Sequence, residues 1–246
     1  MPRRPSPPIS RRERPAKPAL TYDGIVATAV RLMQAEGLQR VTMRRLAQEL
    51  DTGAASLYVY VANTAELHAA ILEDLLGTVD LKPTKAGDDD GGGGGGGGGD
   101  GGDWQDRLVA LLESYTTVLF RNPALARSAL VARPSGPNYL AIVEAILALL
   151  HEGGMPDRQA GLALDILLQV ATATAAEQSA RHEDESAAEE EFGALMEVLH
   201  TADGSAYPRI VAIGDDLFSG TPEERLGWAF HAIINGALAT PRASEH

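Results

Sequence analysis

Cysteine is absent from all 246 residues, which excludes a disulfide framework and any thiolate metal site and fits a reducing compartment. Long apolar runs are missing too. No eighteen consecutive apolar residues occur, and the basic opening RRPSPPISRRERPAKP leads into no apolar h-region, so it reads as neither signal peptide nor membrane span. The expected setting is the cytoplasm, with no membrane partner. Clean period-two alternation bounded by hairpin turns is lacking as well, which leaves an all-α fold.

Positive charge is scarce, and what there is lies at one end. The formal net charge is −13, yet residues 1–45 hold ten Lys or Arg against three Asp or Glu. The rest of the chain is strongly acidic. Such a dipolar molecule offers polyanions only its N-terminal end.

Apolar spacing places a first helix from Thr21 to Gly37, with Ile25, Ala29, Leu32 and Met33 at i, i+4, i+7 and i+8 and a glycine where helices commonly stop. Thr42 caps a second helix, which Asp51-Thr52-Gly53 breaks; a third is expected over Ala54–Val61. Asn63 and Glu66 open a fourth in the manner of a capping box. Further helices are predicted at 104–121, 123–131, 137–152, 157–181, 187–201, 206–217 and 222–239, with first-turn prolines at Pro123, Pro156 and Pro222. Between the two sets runs a string of glycines at 91–99 among aspartates. Glycine loses the most backbone freedom on ordering, so this string is expected to behave as a flexible coil that transmits no torque.

The stretch TMRRLAQELDTGAASLYVYV, residues 42–61, joins two short helices through a tight break and puts arginines on the first. That is a helix-turn-helix pattern, with Leu46, Leu50, Leu57 and Val61 as its apolar underside. From AEG at the end of helix 1 through VTMRRLAQEL, LYVYV and the N-x-x-E-L start of helix 4, residues 21–75 resemble the DNA-binding domain of the tetracycline repressor (TetR) family. The later segments WQDRLVALLESY, Arg133-Pro134, EGG before Met155, AAEQ around Glu177 and YPRIVAI are similar, in the same order, to the tetracycline repressor's own branch.

The resemblance implies a basic arm at 1–20, a DNA-binding domain at 21–81, a linker at 82–103 and a ligand-binding and dimerisation domain at 104–246. It assigns Arg44 and Arg45 to base edges or phosphates, and Thr42 and Tyr58 to phosphates. Gly53, Ala54, Ala55, Ser56 and Tyr60 fall on the outer side of the recognition helix, where small residues suit close approach and thymine methyls. Tyr60 has a second reading, packing against helix 1. Thr64 stands where many relatives carry a phosphate-gripping lysine; the arm, entering the minor groove, is the expected compensation.

For the larger domain the resemblance implies a two-fold dimer in which 157–181 and 222–239 form a four-helix bundle with the same pair of a second subunit. It implies a cavity with Leu111, Tyr115, Arg133, Val143, Ile146 and Leu167 as lining candidates. Ala129 stands where the tetracycline-binding branch has a magnesium-holding histidine, which argues against a magnesium–tetracycline ligand, although Glu177 falls near a second site of that chemistry. No cofactor or metal is expected. The resulting expectation is a repressor that leaves a palindromic operator when a mostly apolar small molecule fills the core, with the signal passing through packing of helix 4 (Leu72, Leu75, Leu76, Val79) on the segment 124–130.

The alternative of another class is a di-iron helical enzyme. That chemistry needs two Glu-x-x-His pairs, and only Glu197 with His200 fits, next to the acidic run 182–191. No nucleophile-elbow, zincin or phosphate-loop pattern occurs.

Overall fold

A computed structural model describes residues 19–82, 101–131, 134–183 and 185–240, and within them every regular element is helical. The expected basic arm up to residue 18, the glycine run and Arg133 lie outside the described residues.

Local chemistry sets most boundaries. Helix α1 (Tyr22–Glu36) starts where the Thr21 hydroxyl accepts the Gly24 N–H (3.1 Å) and stops at Gly37, whose φ of 85° lets its N–H reach the Met33 carbonyl. Helix α2 (Met43–Glu49) is capped by Thr42 and ends ahead of Asp51, which itself takes the left-handed conformation at φ 48°. Helix α3 spans only Ala54–Leu57. The expected continuation to Val61 is instead a turn through Tyr58–Tyr60, because Tyr58 to Val61 is a run of β-branched and aromatic side chains that lose rotamer freedom in a helix. In α4 (Thr64–Leu76) the Asn63 side chain accepts the Glu66 N–H (2.9 Å), while the Glu66 carboxylate accepts from Ala62 (2.6 Å), one residue before the usual capping-box partner.

Helix α5 (Gly101–Arg121) begins three residues before the expected Trp104. Helices α6 (Pro123–Val131) and α7 (Pro137–Glu152) follow as predicted. The indole of Trp104 fills the space a side chain at Gly153 would need, which closes the α7 end against α5. Helix α8 (Asp157–Glu183) ends two residues later than expected, and α9 (Glu185–His200) starts two residues earlier and ends one earlier. The stretch predicted at 206–217 is divided: α10 (Pro208–Ile213) gives way to a 3-10 turn at Gly214, whose φ is 55°. Helix α11 (Pro222–Ala239) opens with a full capping box between Thr221 and Glu224.

One core runs through the molecule. Leu46, Leu57 and Val61 are fully buried as the underside of the α2–α3 pair, and Leu50 half-buried. Burying each such side chain is worth about 1.5–3 kcal/mol. Helix α8 is central and packs on α5, α6, α7 and α11. Its Asp157–Gln178 stretch is long and apolar enough to cross a bilayer by composition alone, yet half of it is buried inside the protein, as a core helix requires. The other half is not: Leu162 and Ile166 are 49% and 46% exposed.

Candidate DNA interface and effector cavity

The α2–α3 unit presents an outer surface with Arg44, Gly53, Ala55, Ser56, Tyr58 and Tyr60 exposed, Ala54 half-buried, and Val59 81% exposed. The two arginines differ. Arg45 donates to Glu36 (2.6 Å) at the end of α1 and to Glu49 (2.9 Å) one turn along α2. Its hydrogen bond also holds the Glu36 carboxyl below its ordinary pKa. Arg44 is exposed on the same helix.

Thr42 accepts the Arg45 N–H through its hydroxyl oxygen (3.1 Å), so its own O–H remains a donor suited to a phosphate. Tyr60 donates its hydroxyl to the Leu20 carbonyl (2.9 Å). The contact differs from both readings of Tyr60: its hydroxyl ties the recognition turn to Leu20, two residues before α1 begins. Thr64 is exposed at the first position of α4. Gly53 has an ordinary φ of −79°, and nothing lies within 4 Å of where its Cβ would be. Neither backbone strain nor crowding demands glycine there.

In the larger bundle a cavity of about 80 Å³ opens between α5, α6, α7 and α8, walled by Tyr115, Ala129, Leu130, Pro134, Tyr139, Leu168, Gln169 and Thr172. Tyr115 and Thr172 share a hydrogen bond of 3.0 Å inside it. Among the described residues that wall it, none is charged. Two larger hollows lie beside α8 and α11: one of about 320 Å³ next to Leu162, Ile166, Ile233 and Gly236, and a separate one of about 540 Å³ where α9 and the 3-10 turn overhang Val170, Glu177 and Arg225.

Residues 25–71 match the family described as bacterial regulatory proteins, tetR family, and residues 98–239 match the tetracyclin repressor-like C-terminal domain. The chain is a TetR-family regulator. It is similar to the HTH-type transcriptional repressor DrrR1 of Streptomyces coeruleorubidus, at 30% identity over 96% of this chain and 84% of that protein. Among solved structures, the Streptomyces transcription regulator SCO7704 is 50% identical, with 94% of this chain and all of that one covered and a TM-score of 0.72. ActR of Streptomyces coelicolor in complex with actinorhodin is 32% identical, with 90% and 97% covered and a TM-score of 0.73.

As a TetR-family member the chain is a ligand-responsive DNA-binding repressor that works as a homodimer, and it is not an enzyme. The di-iron alternative falls with that. His200 is instead bonded on the surface to Asp215 (2.7 Å), and among the described residues no three His, Asp or Glu side chains are grouped to hold a metal.

Of the TetR-type lining candidates, Tyr115 walls the cavity, whereas Leu111, Ile146 and Leu167 are fully buried and Val143 half-buried. Tyr139, Gln169 and Thr172 stand outside the candidate set, because a polar residue on an apolar helix carries no sign of which way it turns. Helix α4 packs on α6 as expected, with Leu72, Leu76 and Val79 buried and Leu75 half-buried, and it also packs on α7.

Proposed function

We propose that the regulator grips a palindromic operator with the α2–α3 units of two subunits, Arg44 reading a base edge, Thr42 and Tyr58 fixing register on phosphates, and Arg45 bracing α2 against α1. Ala54, Ala55, Ser56, Gly53 and Thr64 line the approach to the duplex. The functional units are the arm, the DNA-binding domain over 21–81 and the effector and dimer domain over 104–246, and the protein acts in the cytoplasm. The dimer forms on the α8–α11 groove, where Leu162 and Ile166 lie exposed. A symmetric partner offering the same groove covers them.

The effector is a neutral, largely apolar molecule with hydroxyl or carbonyl groups. The observation that supports this is the composition of the small cavity among the described residues: apolar walls, two tyrosines, a threonine and a glutamine, none of them charged. ActR, a relative of similar fold, was solved with actinorhodin, which makes actinorhodin the first compound to try. At about 80 Å³ the cavity is below the 300–1,000 Å³ range usual for such sites. An effector therefore enters by parting α6 and α7, which is the step that disturbs α4. Ala129 supplies only a methyl group to the wall, so the site suits a metal-free ligand.

The experiment is selection of duplex fragments from random DNA by the purified protein, then a release assay with neutral apolar compounds bearing hydroxyl or carbonyl groups against anionic analogues. Release by neutral compounds supports the reading. Release by anions alone defeats it.

A further inference from the structure

Helix α7 begins without a cap of its own. Its N-cap is Gly136, with no side chain to accept the first-turn amides, and Pro137 follows. Helix N-termini leave such N–H groups without intrahelical partners. Here the acceptor comes from another helix. The Glu73 carboxylate of α4 accepts from Asn138 N–H through Oε1 (2.6 Å) and from Tyr139 N–H through Oε2 (3.3 Å). Asn138 returns the contact, its side-chain amide donating to the Glu73 carbonyl (2.9 Å).

The joint is shaped to admit these groups. A side chain on Gly136 would fall on the Glu73 carboxylate, and a Cβ on Gly77 would lie 3.1 Å from the Asn138 amide nitrogen. Two bare positions at the facing ends of α4 and α7 thus make room for the joint, Gly136 for the Glu73 carboxylate and Gly77 for the Asn138 amide, and the carboxylate also meets the positive end of the α7 dipole. The other hold on α4 is weaker: His68 Nδ1 lies 3.3 Å from Ser128 Oγ on α6.

Both holds adjoin the cavity in sequence. Tyr139, which walls it, follows Asn138, and Ala129, which walls it from the other side, follows Ser128. A guest that parts α6 from α7 therefore moves both attachments of α4 together. We propose that Glu73 is a positioning residue that links the α7 side of the effector cavity to the DNA-binding helices, by capping in trans a helix that cannot cap itself. This rests on the reading of the cavity as the effector site.

The test uses the full chain and a duplex selected by it from random DNA. Amide hydrogen exchange is followed at Asn138 and Tyr139, and duplex affinity is measured for wild type, Glu73→Ala and Glu73→Gln. Duplex binding is expected to slow exchange at both amides about five-fold or more, the scale of an ordinary allosteric coupling. Glu73→Ala should lose that slowing and shift duplex affinity by a similar factor, with the thermal midpoint falling no further than the loss of one helix cap brings. Glu73→Gln, whose amide oxygen still accepts from Asn138, should restore most of both. Gly136→Ala, which displaces the carboxylate while leaving the sequence of α4 unchanged, serves if Glu73→Ala fails to fold.

Unchanged exchange at these amides on duplex binding, or wild-type duplex affinity in Glu73→Ala or Gly136→Ala, overturns the proposal and leaves the DNA-binding reading standing. Failure to select any duplex defeats both.

Discussion

The guanidinium of Arg45 lies 2.6 Å from the Glu36 carboxylate and ties α2 to the last turn of α1. Its neighbour Arg44 is exposed on the same helix. Two adjacent arginines are thus given different work by a single acid on another helix.

Arg44→Ala is expected to weaken operator binding by about 1–3 kcal/mol and relax preference at one base pair. Arg45→Ala should reduce affinity without changing the preferred sequence, because it removes a brace between α1 and α2. Binding measured on operators mutated one base pair at a time separates the two. A specificity change in Arg45→Ala would reverse the assignment.

Residues 1–18 carry six of the Lys and Arg residues. Deleting them should flatten the salt dependence of operator affinity, by up to about 0.9 in log–log slope for each phosphate that the arm no longer neutralises. Tyr60→Phe breaks the hydrogen bond to the Leu20 carbonyl and is expected to cost affinity in the full chain but not in the truncated one. Affinity measured over a series of salt concentrations decides, and equal losses in both backgrounds would show that Tyr60 acts without the arm.

Ile166→Glu places a charge in the exposed α8 stripe and should yield a monomer that no longer holds the operator. Tryptophan emission gives an independent reading, since Trp104 is 4% exposed and Trp228 74%. In a Trp104→Phe background, dilution of the dimer should shift Trp228 emission to the red. A dimer that survives Ile166→Glu in sedimentation would move the interface off α8.

His68 has a pKa lowered by burial. Because Ser128 donates to the Ala124 carbonyl (3.2 Å), His68 Nδ1 is left to donate to Ser128. A base whose folded pKa is depressed takes up protons first in the unfolded chain, so stability is full above the ordinary value of about 6.5 and falls as pH drops below it. His68→Gln should flatten that acid-side slope. Thermal midpoints between about pH 7 and pH 5.5 are the measurement, and an unaltered slope would remove His68 from the account.

Much of the fold is legible in the sequence where chemistry is local. Thr21 and Gly37 delimit α1, and Pro137 and Gly153 delimit α7, because a cap needs only its own few neighbours. The α3 boundary is not legible: no breaker follows Leu57, and the helix yields to a turn in which Tyr60 reaches back forty residues to Leu20. The start of α11 is legible twice over, in Pro222 and in the capping box that sets Thr221 three residues before Glu224. In the cavity the periodicity of α5, α7 and α8 marks Leu111, Ile146 and Leu167 as buried but does not separate packed core from cavity wall. The partners of Glu73 are main-chain amides of residues 138 and 139, and no side-chain pattern announces a main-chain partner.

Gly53 stands at the start of α3 with an ordinary backbone angle and empty space around it. Serine or aspartate would cap that helix at least as well, so the free molecule has no use for the missing side chain. The proposed approach of the duplex would give that bare position a use, and on that reading variants selected for heat resistance alone should drift away from glycine at this position while those selected for repression keep it.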